Sequence, residues 1–308
     1  MKKPSTEMNG HQRVLIIGGA GSMGISLAHT LSETGHSVRA FDLPTVDFSA
    51  LKTLSHVEIL QGDITQRDSL LAAVEGMDAV VHLAAILPPA SESRRELTLR
   101  VNVEGTRNLV WAMETITPNA HLIFSSSVST YGDTTANEPP ITSTHPQNAL
   151  DTYAESKILA EEAVRSSSLS HTILRISGVA VPGFLEPPHP WPFMPMQRME
   201  FVARDDVVRA LAACVGNDKA RDKVLHIAGG ESWRMLGYQY VARFNELIGL
   251  DTEDAKYKDS AGYYDWYDTG ESQALLGYQT TSFEGFLQLT REAIEEFLGL
   301  NDIEDENW

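Results

Sequence analysis

The first half of the chain alternates short apolar runs with stretches in which apolar residues recur at helical spacing. The apolar runs include RVLIIGG, DAVVHLAA and HLIFSSS, and stretches such as SLAHTLSETG and SLLAAVEG lie between them. Runs without polar alternation predict strands that are buried on both faces, and the intervening helices predict parallel βαβ units. The pattern therefore predicts an α/β fold built on a doubly wound parallel sheet.

The alternation continues through a predicted helix that begins near Tyr153 and an apolar strand, HTILRISGVAV, and then breaks. The next segment, PGFLEPPHPWPFMP at 182–195, is too rich in proline for a regular helix and predicts a loop. Beyond it, shorter patterns predict helices around 207–215, 236–248 and 283–298 and one strand, VLHIAGG. We therefore expect a small C-terminal lobe that is partly interleaved with the sheet.

Composition narrows the class of protein. Apolar residues make up 42% of the 308 positions and charged residues 21%, the balance of an ordinary globular protein. No apolar run reaches the roughly 20 residues that a membrane-spanning helix needs, so we expect no membrane partner. The formal net charge of −18 argues against nucleic-acid binding, because the chain would repel a phosphate backbone. Local positive groups must therefore hold any anionic ligand.

The single cysteine, Cys214, excludes a disulfide or a CxxC site within the chain and fits a reducing cytoplasm. At the chain start, MKKPSTEMNGHQ has two lysines but no apolar stretch behind them, which is not typical of a secretory signal. We predict a cytoplasmic protein with a flexible arm at 1–12 and an acidic tail at 301–308. His189, beside two prolines, fits no metal-ligand spacing, and we assign no metal.

Candidate chemistry begins at the first predicted strand. The segment RVLIIGGAGSMGISLAHTL places Gly18, Gly21 and Gly24 at the turn from this strand into the first helix. Glycines there allow a tight turn, a close approach of the backbone to a pyrophosphate, and close packing of helix on strand. The helix N-terminus supplies N–H groups and its positive dipole end, so Ser22 and Met23 in the same turn are predicted cofactor contacts.

The second predicted strand ends in Asp42, 18 residues after Gly24. A carboxylate at that point accepts hydrogen bonds from both ribose hydroxyls and repels a 2′-phosphate, which favours NAD over NADP. The alternative is an ordinary turn residue at a strand end, and Arg39, earlier on the same strand, would complicate the preference. The glycine turn and Asp42 together predict NAD as the cofactor.

Further motifs follow in a characteristic order and spacing. GDI lies at 62–64, HLAA at 82–85, NVEGT at 102–106, SSSVSTYG at 125–132 and YAESK at 153–157. With these motifs the chain resembles the extended short-chain dehydrogenase/reductase family, the NAD-dependent epimerase/dehydratase group, over about residues 13–300. The resemblance implies a Rossmann-type NAD-binding domain at 13–180 that carries the catalytic residues, and a mainly substrate-binding lobe at 181–300.

The resemblance also implies which residues contact the cofactor. Asp63 and Ile64 would contact adenine, while Leu83, Ala84 and Ala85 would line the nicotinamide side. The implied set is completed by Asn102, Ser125, Tyr153, Lys157 and Ser177. For Asn102, stabilisation of the sheet or the capping of a helix is an equally good interpretation.

Tyr153 and Lys157 form the predicted catalytic pair. A spacing of four on a helix puts both side chains on one face, so the lysine ammonium can lie beside the phenol and favour its phenolate. Because an ordinary tyrosine has a pKa of about 10, such a lowering makes Tyr153 usable as an acid–base group at neutral pH. The resemblance adds Ser127 as the hydroxyl that hydrogen-bonds the substrate oxygen, with Ser129 as the alternative.

The chain departs from the family pattern in two places. Relatives that act on nucleotide-diphosphate sugars carry RxxN after the sixth strand, whereas 175–178 here reads RISG, with Gly178 in place of the asparagine. The Ser127–Val128 pair also lacks the Asp–Glu of 4,6-dehydratases. The first departure argues against a nucleotide-sugar substrate and favours a small or otherwise sugar-like one, and the second argues against dehydration. We expect this substrate to contact Ser127, Phe184, His189 and Trp191, with packing inside the lobe as the alternative for the last three.

We therefore predict an NAD-dependent oxidoreductase that moves hydride between NAD and a secondary alcohol or ketone. An epimerase that oxidises and re-reduces the same carbon would use the same Ser127, Tyr153 and Lys157. A third interpretation is a non-catalytic dinucleotide sensor, but such proteins typically lose the tyrosine that this chain retains.

The resemblance also implies a homodimer, since many extended members pair two helices per subunit into a four-helix bundle. The two helices here would be the stretch 97–113 and the helix that starts near Tyr153. Their apolar candidates for the interface are Leu97, Val101, Leu109, Ile158, Leu159, Ala163 and Val164. The alternative is a monomer whose helices bury these side chains against the sheet.

Overall fold

The computed structural model describes residues 10–183 and 186–299, so Phe184, most of the expected N-terminal arm and the expected acidic tail lie outside the described residues. The strands are β1 (Arg13–Ile17), β2 (Ser37–Asp42), β3 (Val57–Gln61), β4 (Ala79–His82), β5 (His121–Ser127), β6 (His171–Ile176), β7 (Val179–Ala180), β8 (Arg198–Met199), β9 (Val202–Ala203), β10 (Lys223–Ile227) and β11 (Met235–Leu236). The helices are α1 (Ser22–Glu33), α2 (Ser49–Lys52), α3 (Arg67–Val74), α4 (Ala90–Ser93), α5 (Arg95–Thr98), α6 (Gly105–Ile116), α7 (Thr152–Arg165), α8 (Arg204–Cys214), α9 (Gly237–Ile248), α10 (Gly270–Leu276) and α11 (Phe283–Phe297).

Seven strands form one parallel sheet in the order β10-β6-β5-β4-β1-β2-β3. β1 pairs with β2 on one side and with β4 on the other, so Val14 lies level with both Val38 and Ala79. The chain order reverses between β1 and β4, and in such sheets ligands bind in the crevice beyond the carboxyl ends of these strands. The predicted doubly wound α/β fold is confirmed.

The chain divides into two compact units that alternate along the sequence. The first unit comprises residues up to 126, 151–174 and 208–224, and the second comprises 127–150, 175–207 and the residues from 225 onward. None of the helices in the described ranges is both long enough and apolar enough to span a membrane. The boundaries at 180 and 181 that we expected from the sequence stay a prediction.

The first unit has an aliphatic core. Leu15, Ile17 and Val80 are fully buried in the sheet, and they belong to one cluster with buried side chains of α3, α6 and α7. Strands that are apolar at successive positions are covered on both faces, which is why they appear in the sequence as uninterrupted apolar runs.

Two histidines are buried within the sheet of the first unit. His82 Nε2 lies 2.9 Å from Thr106 Oγ1, and His121 Nε2 lies 2.8 Å from Thr172 Oγ1. Burial lowers the pKa of His82 to about 3 and the pKa of His121 to about 4. Both rings are therefore neutral at neutral pH.

The faces of α6 and α7 differ from the predicted dimer interface. Leu109 and Val164 are fully buried in the aliphatic core, and Leu97 and Val101 line a cleft beside the glycine turn. Full burial in the core contradicts the assignment of Leu109 and Val164 to the interface, whereas that of the half-buried Leu97 and Val101 stays a prediction. Ile158, Leu159 and Ala163 on α7 are half-buried.

The second unit has an aromatic core instead. Its cluster of buried side chains includes Trp191, Phe193, Trp233, Tyr240, Phe244, Tyr264, Phe283 and Phe286. Glu200 is buried beside this cluster and accepts hydrogen bonds from the backbone N–H of Gly230 at 2.9 Å, the N–H of Tyr267 at 2.9 Å and Arg234 Nε at 3.0 Å. One buried carboxylate thus joins three loops, which secures segments that have little regular secondary structure.

Cys214 ends α8 and is fully buried. Burial raises the pKa of its thiol to about 12, so the side chain packs as a small core residue.

Candidate functional site

The turn between β1 and α1 excludes side chains at two glycines. Gly18 has φ of +85°, and a Cβ there would lie 2.8 Å from the backbone nitrogen of Ala84. A Cβ on Gly24 would lie 2.4 Å from the carbonyl oxygen of Gly18. The first position requires a conformation that favours glycine, and the second requires close packing of α1 on the turn. The chain can therefore make this tight strand-to-helix turn only with glycine at these points.

The start of α1 is suited to an anion. Its N-cap residue, Gly21, provides no side-chain cap, and the first turn contains no acidic residue. The first N–H groups of a helix lack partners within the helix and carry its positive dipole end. The first turn of α1 thus presents backbone donors to a phosphate and carries no acidic side chain of its own.

Asp42 lies at the carboxyl end of β2 and is held by two backbone groups. Its Oδ2 accepts a hydrogen bond from the N–H of Ala20 at 3.0 Å, and its Oδ1 accepts one from the N–H of Leu43 at 2.8 Å. Each carboxylate oxygen has a further acceptor site, so the fixed carboxylate can also accept from a ribose diol. The predicted preference for NAD requires a carboxylate that is fixed at this strand end, and Asp42 provides one.

Arg39 does not compete with Asp42. Its Nε donates to Glu58 at 2.8 Å, and its Nη1 donates to the carbonyl oxygens of Ala72, Ala73 and Glu75 at 2.9 to 3.1 Å. These carbonyls lie at the end of α3, so the guanidinium of Arg39 forms its hydrogen bonds there and not at the glycine turn.

A cleft of about 480 Å³ opens beside the glycine turn, entirely within the first unit. Many predicted cofactor contacts line it: Gly18, Gly21, Ser22, Met23, Gly24, Asp42, Asp63, Ile64, Leu83, Ala84 and Ala85. The structure brings these residues together from the ends of four strands. A volume of this size lies in the range of cofactor and ligand pockets.

The same cleft has lining residues that the sequence analysis missed. They include Phe41, Leu43, Thr65, Ile86, Leu87 and Arg100. Arg100 lies two residues before Asn102, in the π-helical segment Leu99–Glu104 that joins α5 to α6, and it is the basic residue of the cleft lining in the described part of the chain. The NVEGT motif, which begins two residues later, could have pointed to Arg100 as a residue near the cofactor. It supplies the local positive charge that an acidic chain needs beside an anionic ligand.

Asn102 is buried and uses its amide to hold two segments. Its Oδ1 accepts from the N–H of Ile86 at 2.7 Å, and its Nδ2 donates to the carbonyl of Ile86 at 3.1 Å and to Ser156 Oγ at 2.9 Å. The side chain thus joins the segment after β4 to α7. Its contact with the cofactor stays a prediction.

The helix α7 brings Tyr153 and Lys157 together. Its N-terminus is fixed by Asp151, whose Oδ1 accepts from the N–H of Ala154 at 2.7 Å. Lys157 is 3% exposed, its Nζ donates to the carbonyl oxygen of Ser125 at 2.8 Å, and it lies 5.8 Å from the centroid of the Tyr153 ring. Burial lowers the pKa of Lys157 and the charge of Glu161 partly opposes that effect, so the pKa is lowered to about 8.

The remaining predicted residues lie in the second unit. Ser127 ends β5, and its Oγ accepts from the N–H of Ser129 at 3.1 Å. The hydroxyls of Ser129 and Ser177 are buried and have no hydrogen-bond partner among the described residues. His189 is exposed, whereas Trp191 is 6% exposed inside the aromatic core, so packing in the lobe accounts for its position. The substrate and cofactor roles of these residues stay predictions.

Gly178, the position of the missing asparagine, faces an aromatic ring. A Cβ on Gly178 would lie 2.2 Å from the ring of Phe201. That ring packs against Tyr240 with centroids 4.9 Å apart and against Tyr264 with centroids 5.5 Å apart. The space that an asparagine side chain would need is therefore filled by aromatic atoms.

Comparison with known proteins supplies independent findings. The sequence model of the NAD-dependent epimerase/dehydratase family matches residues 14–197. The chain is 36% identical over 157 residues to 3β-hydroxysteroid dehydrogenase/Δ5→4-isomerase of Mycobacterium tuberculosis, a match that covers 49% of this chain and 42% of that protein. It is 34% identical over 176 residues to UDP-glucose 4-epimerase of Lactobacillus helveticus, covering 54% of this chain and 52% of that one. The chain thus spans about half the length of these relatives.

A solved structure extends the likeness to almost the whole fold. A short-chain dehydrogenase/reductase superfamily protein from Agrobacterium tumefaciens with bound NAD superposes with a TM-score of 0.76 at 22% identity. The superposition covers 94% of this chain and 99% of that one.

Proposed function

The chain belongs to the NAD-dependent epimerase/dehydratase family, and from this premise we propose that it is an NAD-dependent oxidoreductase acting on a secondary alcohol or ketone of a small or sugar-like substrate. The observation that carries this proposal is the Tyr153–Lys157 pair on α7, together with the cleft that holds the glycine turn and Asp42. A dinucleotide sensor would need the cleft but not the pair.

The residues of the cleft fit NAD. The donors at the start of α1 would hold its pyrophosphate, and Asp42 would accept hydrogen bonds from the adenosine ribose hydroxyls. Asp42 would also repel a 2′-phosphate at that place, which supports NAD over NADP. When bound, NAD supplies or takes up the hydride of the reaction.

Three side chains of this protein handle the proton and the substrate oxygen. Tyr153 gives a proton from its Oη to a carbonyl oxygen during reduction and takes one from a hydroxyl during oxidation. Lys157 places a positive charge beside that phenol and thereby favours its phenolate. Ser127 donates a hydrogen bond to the same substrate oxygen and keeps the reacting carbon in place.

The surroundings of Gly178 favour a substrate without a nucleotide diphosphate. The Phe201 ring lies where the side chain of an asparagine would have to be. The chain therefore lacks the asparagine that helps to hold a substrate diphosphate, and it has no space for that side chain. This observation supports a dehydrogenase of small alcohols over a nucleotide-sugar epimerase.

The test is NADH formation measured at 340 nm against secondary alcohols, sugar acids, amino alcohols and hydroxysteroids. We expect one class to be oxidised, and Tyr153→Phe to lower the rate about 100-fold or more while NAD still binds. Tyr238→Phe, at a tyrosine that is 43% exposed, is the matched control and should keep full activity. Near-normal turnover by Tyr153→Phe would remove this residue from the mechanism.

The second candidate is an epimerase, which the similarity to UDP-glucose 4-epimerase favours. Such an enzyme inverts its substrate with no net change in NADH absorbance and keeps its cofactor through purification. Product analysis by NMR after incubation with UDP-sugars separates the two candidates. We also propose a cytoplasmic homodimer, supported by the single buried cysteine and by the family resemblance of α6 and α7.

A further inference from the structure

The helix α7 carries a third ionisable side chain, one turn beyond Lys157. Glu161 follows Lys157 at a spacing of four, which places the two side chains on one face with Cβ atoms about 5–6 Å apart. Glu161 is fully buried, with 0% of its surface exposed. A carboxylate removed from water is costly unless it is paired and hydrogen-bonded, so its place in the core needs an explanation.

The partners of Glu161 show that the carboxylate is held in one position. Ser126 Oγ donates to its Oε1 at 2.5 Å, and Arg165 Nη2 donates to its Oε2 at 2.5 Å. Ser126 follows Ser125, whose carbonyl accepts the hydrogen bond from Lys157 Nζ. Two successive residues of β5 therefore hold the ammonium of Lys157 and the carboxylate of Glu161 at a fixed separation.

The other groups around Lys157 provide no equivalent negative charge. His82 on β4 is neutral, because burial lowers its pKa to about 3 with a contribution from the Lys157 charge. Tyr153 lies one turn before Lys157 on the same helix. Glu92 on α4 is exposed, and it accepts from the backbone N–H groups of Thr152 and Tyr153 at the start of α7. Arg165 is 38% exposed at its side chain, so water screens its charge.

We propose that Glu161 is a positioning residue that acts through Lys157, its buried carboxylate keeping the ammonium charged and directed along β5. The proposal rests on the proposed function, which assigns Lys157 to the phenol of Tyr153, and on the cofactor contact that the family resemblance implies for Lys157. Burial alone disfavours a charged lysine, and a fixed opposite charge one turn away offsets that effect. The buried carboxylate thus serves the chemistry of the site as well as the packing of α7.

The test is Glu161→Gln, which keeps the size of the side chain and an acceptor for Ser126 but removes the charge. Carbon-13 NMR of labelled lysine side chains, with Lys157→Met identifying the signal, follows the titration of Lys157 in the cofactor-free protein. We expect the midpoint to fall by about one pH unit. Because NAD binding favours the charged lysine, the affinity for NAD should fall as the pH rises through this midpoint. In Glu161→Gln we expect that fall at a pH about one unit lower than in the parent protein.

The control is Glu162→Gln, which removes a charge from the exposed neighbour on the same helix and should leave the midpoint unchanged. Ser126→Ala removes the hydroxyl that fixes the carboxylate of Glu161 beside β5, so it should also lower the midpoint, and it carries the test if Glu161→Gln does not fold. An unchanged midpoint in the folded Glu161→Gln protein would show that Glu161 only packs α7. The NMR titration does not depend on turnover, so a failure of the proposed function would appear in the alcohol assays and leave this shift in place.

Discussion

Individual side chains of β2 serve separate parts of the first unit. Arg39 donates to carbonyl oxygens at the end of α3, whereas Asp42 accepts from backbone groups beside the glycine turn. The two side chains are three residues apart, and the arginine is fully engaged by Glu58 and these carbonyls. We therefore expect discrimination between NAD and NADP on this strand to depend on Asp42.

Asp42→Ala tests this dependence. The variant should bind NAD about tenfold more weakly, because it loses charge-assisted hydrogen bonds to the ribose, and should gain in relative affinity for NADP. Fluorescence titration with NADH and NADPH gives both dissociation constants. Asp47→Ala, at an exposed aspartate that accepts hydrogen bonds from the backbone and side chain of Ser49, should leave the ratio unchanged. A parent protein that already prefers NADPH would contradict the assignment of Asp42.

Residues of the site differ in how far the sequence alone predicts them. Gly18, Gly24 and the Tyr153–Lys157 pair follow from local rules of backbone conformation and helical spacing, and the structure brings them to the expected places. Arg100 was missed, because it lines the cleft from the π-helical segment Leu99–Glu104, which the sequence pattern did not predict. The contact of Phe201 with Gly178 joins positions 23 residues apart, and no local pattern marks it.

At the scale of elements, α7 does more than present the two side chains of the proposed catalytic pair. Its inner face packs Ala160 and Val164 into the aliphatic core, and Glu161 lies on this buried side. The helical period predicted the existence of α6 and α7 but not which apolar side chains face outward. The π-helical segment Leu99–Glu104 was also not predicted, since its geometry accompanies the tertiary hydrogen bonds of Asn102.

The proposed dimer can be tested on the outward face of α7. Leu159→Glu places a charge at a half-buried position and should convert a dimer into monomers without disturbing the core. Light scattering coupled to gel filtration measures the mass. Val164→Glu is the contrasting variant and should unfold the protein, because it puts a charge into a fully buried site. A mass near 33.9 kDa for the parent protein would defeat the dimer.

At the scale of the whole molecule, the two units have different interiors. The first is packed with aliphatic side chains around the sheet, and the second with aromatic rings and a buried carboxylate, Glu200. Alternating apolar runs predicted the first kind of core, because each run is a complete strand. The second kind depends on loops such as 182–195, in which aromatic residues have no period, and its two-residue strands were not predicted.

The neutral histidines of the sheet determine how the folded protein responds to acid. His82 and His121 take up protons near pH 6.5 once unfolded, but only at about pH 3 and pH 4 when folded. Falling pH therefore favours the unfolded state from about 6.5 downward, by about 1.4 kcal/mol per pH unit for each histidine.

We expect the urea midpoint to fall steadily between pH 6.5 and pH 4, and His121→Gln to reduce that slope, since only His82 of these two histidines then remains to be protonated. His29→Gln, at an exposed histidine, should keep the parent slope. A urea midpoint that does not change with pH would contradict the neutral state of both rings. If the midpoint falls with pH as expected, these two histidines also set the lowest pH at which the protein can be purified, stored and assayed.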